Sequence, residues 1–379
     1  MRLEQFRWSQ AEDWEPESPK TVNEHVQLVF LFGSRVIIKN QLQFDLIKKI
    51  YPKALLIGCS TAGEIYDGEV RDETLVVTAV QFEHSRIKKA FVRLGESVDA
   101  FKAGSLIAES LDDKELKHVF ILSDGLNVNG SMLVKGLLHS LPGHVMVTGG
   151  LSGDGDRFGE TYVYWGDRPE SNAIVAVGFY GSKLKVGYGS MGGWDSFGPE
   201  RLITRSEGNV LFEFDGQSAL DLYKRYLGDH AKGLPATGLL FPLSLREKDG
   251  KGEKVRTILG INEEQQSLTF AGDVPEGAYG RLMKANFDRL IDGAIEAAKA
   301  SYETIGSSEV ELAVLISCVG RKMVLKQRIE EEVEGVREVL GRETVLAGFY
   351  SYGELSPFTS GESCALHNQT MTITTFSES

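Results

Sequence analysis

Two seven-residue stretches of this chain match in pattern, Gly58-Cys59-Ser60-Thr61-Ala62-Gly63-Glu64 and Gly348-Phe349-Tyr350-Ser351-Tyr352-Gly353-Glu354. Each follows an apolar run and reads G-x-x-[ST]-x-G-E. A hydroxyl and a carboxylate beside glycines, where the backbone turns sharply and admits a close neighbour, can fix a small polar molecule. A third stretch, Gly149-Gly150-Leu151-Ser152-Gly153-Asp154, brings its acid one residue sooner. The same residues also suit a plain conformational turn whose acid caps nearby backbone. The candidate ligand set is therefore Ser60, Thr61, Glu64, Ser152, Asp154, Tyr352 and Glu354.

A second set of loops follows the first apolar run of each region. Gly33-Ser34-Arg35 and Val319-Gly320-Arg321 read as placing an arginine at equivalent points, and Ser123-Asp124-Gly125 places an acid there. A guanidinium is a planar fork suited to a carboxylate. Arg321 is thus a candidate carboxylate receiver and Asp124 a candidate polar contact, with a structural ion pair as the alternative for the arginine. Cys59 would be a nucleophile only with a lowered pKa and a distant base; a buried structural thiol is the more ordinary reading. No G-x-S-x-G, HExxH, P-loop or EF-hand pattern occurs, so a non-enzymatic role is expected. Of the seven histidines, His367 is singled out because it enters the last apolar run close to the third acid turn, where it could ligate a metal or haem.

These turns need elements to hold them. The runs LVFLFGSR and ALLIGCSTAGE, VFILSDG and VMVTGGLSGDG, LAVLISCVGR and TVLAGFYSYGE read as three copies of strand, loop, helix, strand and turn. Leu133, Leu137 and Leu141 mark one helical stripe, and Leu325, Ile329, Val333, Val336 and Leu340 another. Ile87–Leu94 reads as the return of a hairpin, as do Ile174–Tyr180 with Leu184–Tyr188 around Gly181-Ser182 and 255–261 with 267–270. The fold class expected is mixed α/β, with helix-covered sheets that are only partly parallel and two domains carrying repeated strand-helix-strand units. The expected division is a flexible leader over 1–23, a first domain over 24–215 and a second over 216–379. Repeated turns matter because they can converge on one pocket.

Composition narrows the partners. With a formal net charge of −13 over 379 residues, nucleic acid and anionic membrane are disfavoured. Three widely spaced cysteines without a CxxC argue against a disulfide framework or zinc site. The N-terminal stretch has no apolar signal core and no segment is long enough to span a bilayer, so a cytoplasmic location is expected.

The chain resembles the FIST family over nearly its whole length. The resemblance rests on IGCSTAGEI, LSDGLNVNG, GGLSGDGDRF and GNVLFEFDGQSALDLYKRYLG, then on VRTILGINEEQQSLTFAGDVPEGA, SCVGR, GFYSYGELSPF and HNQTMTITTF. It implies an N-terminal and a C-terminal FIST domain and a sensory role in signal transduction with a small ligand such as an amino acid. It also implies an alternative, a haem-based nitric-oxide sensor acting on a histidine kinase or cyclic-di-nucleotide enzyme, with His367 as axial ligand. No kinase, receiver or cyclase segment accompanies these motifs, so output through a separate signalling protein is expected. In the amino-acid reading the turn acids receive an ammonium group and Arg321 a carboxylate.

Overall fold

The structure is a computed structural model that describes residues 1–379 except 18–20, 41, 167, 248–252, 307–308, 359–360 and 379. The three repeats are real strand-helix-strand units. In each, two apolar strands pair in parallel, Leu28–Ser34 with Leu55–Thr61, Leu116–Ser123 with Met146–Leu151, and Leu312–Cys318 with Val345–Ser351. A later antiparallel strand flanks the first of each pair: Thr74–Gln81, Ala173–Tyr180 and Met371–Glu378. These strands are buried on both faces, which is why they read as unbroken apolar runs rather than alternating ones.

The hairpin that follows each second strand does not stay with its own sheet. Glu64–Tyr66 of the first unit pairs with Val345–Ser351 of the third. Val163–Trp165 of the second unit pairs with Leu55–Thr61 of the first. Gly353–Ser356 of the third pairs with Met146–Leu151 of the second. The exchange closes a ring of three sheets with pseudo-threefold order. Their inner faces meet in one core, where the Phe30 and Phe120 rings lie 5.4 Å apart edge-on and the Phe32 and Phe349 rings 4.8 Å apart. Each such phenyl, fully buried, contributes on the order of 1.5–3 kcal/mol. Helices cover the outer faces: Leu42–Ile50 on the first sheet, Ala100–Leu111 and Gly130–Ser140 on the second, Phe287–Thr304 and Ile329–Leu340 on the third.

Two expected hairpins are instead crossings between sheets. Arg86–Arg93 pairs with Ala173–Tyr180, not with its predecessor in sequence. Leu184–Met191 leaves Ala173–Tyr180 and pairs with the last strand, Met371–Glu378. Short polar loops join both pairs, and a short loop looks alike whether it folds a strand back or carries it to the next sheet. The N-terminal stretch, expected as a loose leader, forms the strand Arg2–Ser9 along the whole of Thr74–Gln81, because Leu3 and Phe6 supply apolar contacts there.

Strands between Asp195 and Lys284 form a fourth sheet, which with the helix Ala219–Leu227 has a core of its own and is inserted between Leu184–Met191 and the helix Phe287–Thr304. Within it Ile258–Asn262 and Ser267–Phe270 make the expected hairpin, its turn held by Asn262, which accepts from the Glu264 and Gln265 amides; Val255 and Arg256, expected in its first arm, belong instead to Glu253–Arg256, which pairs with Leu243–Arg246. The expected division at 215/216 falls inside this sheet, where Phe214 pairs with Gln217.

Candidate functional site

Strand register sets the true correspondence among the repeats. Ser34 faces Thr61, Cys318 faces Ser351, and Gly33 and Ser317 face Leu75 and Met371. Arg35 is therefore equivalent to Val319, and Arg321 lies two residues further along its helix; the arginines do not correspond. Gly58, Gly149 and Gly348 do correspond. At each, a Cβ would run into the carbonyl of the facing strand (Leu31, Ile121 and Leu315), so these glycines serve close strand packing.

The two matching turns build the same buried corner. Glu64 accepts from the Thr61 hydroxyl with one oxygen and from the Thr74 amide (2.9 Å) and hydroxyl (2.7 Å) with the other. Glu354 accepts from the Ser351 hydroxyl at 2.7 Å, the Thr370 amide at 3.1 Å and the Thr370 hydroxyl at 2.9 Å. Burial pushes both carboxyl groups up to about 7, against the pull of those donors. The middle unit solves the corner differently. At the position of Glu64 its hairpin carries Val163, and the buried carboxylate comes from Asp124. That side chain takes the amides of Leu126, Asn127 and Asn172, the Asn127 side-chain amide, and the Thr161 hydroxyl at 2.6 Å. Asp154 instead binds Arg35 (3.2 Å), the Gly159 and Glu160 amides and the Tyr352 hydroxyl. Ser152 accepts from the Gly125 amide at 3.1 Å, and Ser60 from the Tyr162 amide at 2.9 Å.

Several expected roles are corrected by these contacts. Arg321 is wholly buried. Its Nε and Nη2 bind Glu332 at 3.0 and 2.7 Å, Nη2 also donates to the Leu290 carbonyl, and Nη1 donates to the Gly192 carbonyl at 2.8 Å. Glu332 is also held by Tyr350 and Ser317. That arginine is a structural ion pair with no donor turned to a cleft, and removing either partner would strand a buried charge. Cys59 is buried, and burial together with nearby Glu64 raises its thiol pKa, the opposite of what a nucleophile needs. His367 is buried with Nε2 at 2.9 Å from the Ser356 carbonyl, and burial lowers it to about 4. Axial ligation through that nitrogen would have to break this bond, and His367 lines none of the clefts described below, so the residues present do not fit a haem. Among the described residues no group of three or more His, Cys, Asp or Glu side chains could hold a metal ion. All three cysteines are free.

The clefts lie at the C-terminal ends of the parallel strands, the usual place for a ligand in such sheets. One of about 380 Å³ is where all three units meet. The first supplies Ser34, Thr61, Glu64, Asp72 and Glu73, the second Gly155, Asp156 and Arg157, and the third Val319, Lys322 and Met323. Lys322 is tied to Asp72 and to the Ala62 carbonyl at 2.9 Å. Among the described residues, Arg157, Asp156 and Glu73 make no side-chain hydrogen bond or ion pair, and the buried Ser34 hydroxyl has no partner. Of the expected set only Thr61 and Glu64 line this cleft. Tyr352 lines a second one of about 270 Å³, against Gly125–Gly130 and residues 270–272. Ser60, Asp124, Ser152, Asp154, Arg321 and Glu354 line neither. Sequence reasoning missed Ser34 and Arg157 as site residues. Arg157 stands in the quoted run GGLSGDGDRF, but nothing in its spacing says that the loop crosses to the first turn.

The fold is that of a mixed α/β protein assembled from exchanged βα units, with clefts at their junctions. Residues 27–217 match the FIST N domain and residues 219–357 the FIST C domain, and the chain belongs to the FIST family, whose domains are sensory domains of signal transduction. It is also similar to an uncharacterised protein of Methanocaldococcus jannaschii, 25% identical over 341 residues, covering 81% of this chain and 62% of that protein's length. Among solved structures, a chorismatase matches at 12% identity and TM-score 0.35, covering 99% of this chain and 98% of the other. A cyanuric acid hydrolase from A. caulinodans matches at 8% identity and TM-score 0.40, covering 99% of each. Among the described residues no helix is long and apolar enough to cross a membrane.

Proposed function

We propose that this chain is a sensory module that holds a small zwitterion of amino-acid type in the cleft where the three units meet, and that it acts by binding rather than by turnover. One observation carries the reading. A free guanidinium, two free carboxylates and an unpartnered buried hydroxyl, from Arg157, Asp156, Glu73 and Ser34, face one cleft. Arg157 suits a ligand carboxylate and the two acids a ligand ammonium group, so opposite charges meet opposite charges. A ligand there touches all three units. It favours whichever arrangement of them fits it best, which is the physical content of sensing. A separate signalling protein would read that arrangement.

Calorimetry and thermal shift against the twenty amino acids test this. At least one is expected to bind and to raise the unfolding temperature. Arg157→Ala is expected to weaken it roughly 10- to 100-fold, the loss of one charge-assisted pairing, while leaving the unliganded protein's stability within about 0.5 kcal/mol. No stabilisation by any amino acid, or unchanged binding by the alanine variant, would overturn the proposal.

A further inference from the structure

A third cleft of about 300 Å³ adjoins the polar one and shares Asp156 and Met323 with it as wall residues. Its remaining lining is apolar, chiefly Phe158, Leu234, Pro235, Leu239 and Leu259. Phe158 is braced by stacking on Tyr352 at a centroid distance of 4.5 Å. Leu259 is 42% exposed, one of the few large apolar side chains left open to solvent. The floor belongs to the three-unit body, and the roof to the inserted part, 233–236 from its 3-10 turns and 258–259 from its sheet.

From this juxtaposition of a charged chamber and an apolar one we infer that the ligand's side chain is large and apolar, as in a branched-chain or aromatic amino acid. The inference rests on the zwitterion reading and names the ligand class for the same site. The charged head occupies the chamber of Ser34 and Arg157. The side chain passes between Asp156 and Met323 and covers Leu259 against Phe158. A glycine or serine would leave the second chamber without a contact, whereas each methylene placed there leaves water favourably. Such a ligand bridges the body and the inserted sheet, so the contact between those two parts is where its presence is registered.

The test is a calorimetric comparison of leucine, isoleucine, phenylalanine and methionine with alanine, serine, aspartate and lysine, on the full chain and on Leu259→Glu. The apolar set is expected to bind at least tenfold tighter than alanine. Leu259→Glu, at an exposed position, is expected to erase about tenfold of that preference while alanine binding stays the same. Equal affinity across the panel, a preference for charged side chains, or an unaltered preference in the variant overturns the side-chain inference and leaves the zwitterion reading standing. Absence of all amino-acid binding overturns both.

Discussion

The first and third corners of the ring are near copies, and the middle one is not. Glu64 with Thr61 and Thr74, and Glu354 with Ser351 and Thr370, repeat one hydrogen-bond pattern in two units that share little other sequence. In the middle unit the acid has moved to Asp124 on the neighbouring strand, and Asp154 reaches out to close on Arg35 of the first unit. The consequence lies in what stays open. Where the first turn meets the third unit a cleft remains beside the Lys322–Asp72 ion pair, and where the third turn meets the second another remains; where the second turn meets the first unit, the Arg35–Asp154 pair bridges the junction. One copy of the ring has drifted: the long middle loop, without the tight turn, lines the neighbouring clefts with Asp156, Arg157 and Phe158.

The contrast can be broken most forcefully at Asp124. Five donors converge on that buried carboxylate, so Asp124→Ala is expected to cost roughly 3 kcal/mol or more in chemical denaturation, since buried donors are left unpaired. A loss below about 1 kcal/mol would mean that the middle corner does not depend on its substitute acid.

A smaller pair of changes sharpens the likeness of the other two corners. Thr74→Val and Thr370→Val each remove one hydroxyl from a buried carboxyl group at little change in shape, at an expected cost of about 1–3 kcal/mol. The two losses should agree within about 0.5 kcal/mol. Unequal values would show that matching geometry hides different energetics.

The finest probe is pH. Between the ordinary carboxyl value of 4.5 and the raised value of about 7, the folded chain keeps a proton on Glu64 that the unfolded chain has released. The stability contributed by that group therefore falls as pH rises through this window. Glu64→Gln removes that contribution, so the variant's stability relative to the parent should climb with pH over the same range, read from denaturation midpoints. His118 and His367, lowered by burial to about 3 and about 4, tilt stability the other way, and they cancel in the difference. Glu354→Gln should behave alike. A difference that does not change with pH would contradict the raised carboxyl values.

Much of this architecture was legible in the residues. The apolar runs at Leu28, Val119 and Leu312 marked strands, and the helical stripe from Ile329 through Val333, Val336 and Leu340 holds in Ile329–Leu340, while Leu325, expected in the same stripe, ends the separate helix Val319–Leu325. The paired G-x-x-[ST]-x-G-E turns are equivalent in space as well as in spelling. What misled was anything that depended on which strand lies beside which. Arg86–Arg93 and Leu184–Met191 looked like hairpin returns because loop length carries no information about the sheet a strand joins. Arg321 looked like a ligand arm because the Glu332 carboxylate that holds it sits on the next helix, where sequence offers no cue to the pairing.

By itself, then, the order of amino acids determined the local grammar: which segments bury both faces, which turn, and where acids with hydroxyl neighbours stand. Those follow from periodicity, from the steric freedom of glycine and from short-range hydrogen bonding. Only the tertiary structure decided that hairpins are traded around a ring, that most of the conspicuous polar residues are spent inside its corners, and that an inconspicuous serine and arginine face the open cleft. The physical reason is that a side chain's partners are set by long-range strand pairing, and a carboxylate or guanidinium is satisfied by whatever donor or acceptor the chain brings within three ångströms or so, however far away in sequence that group began.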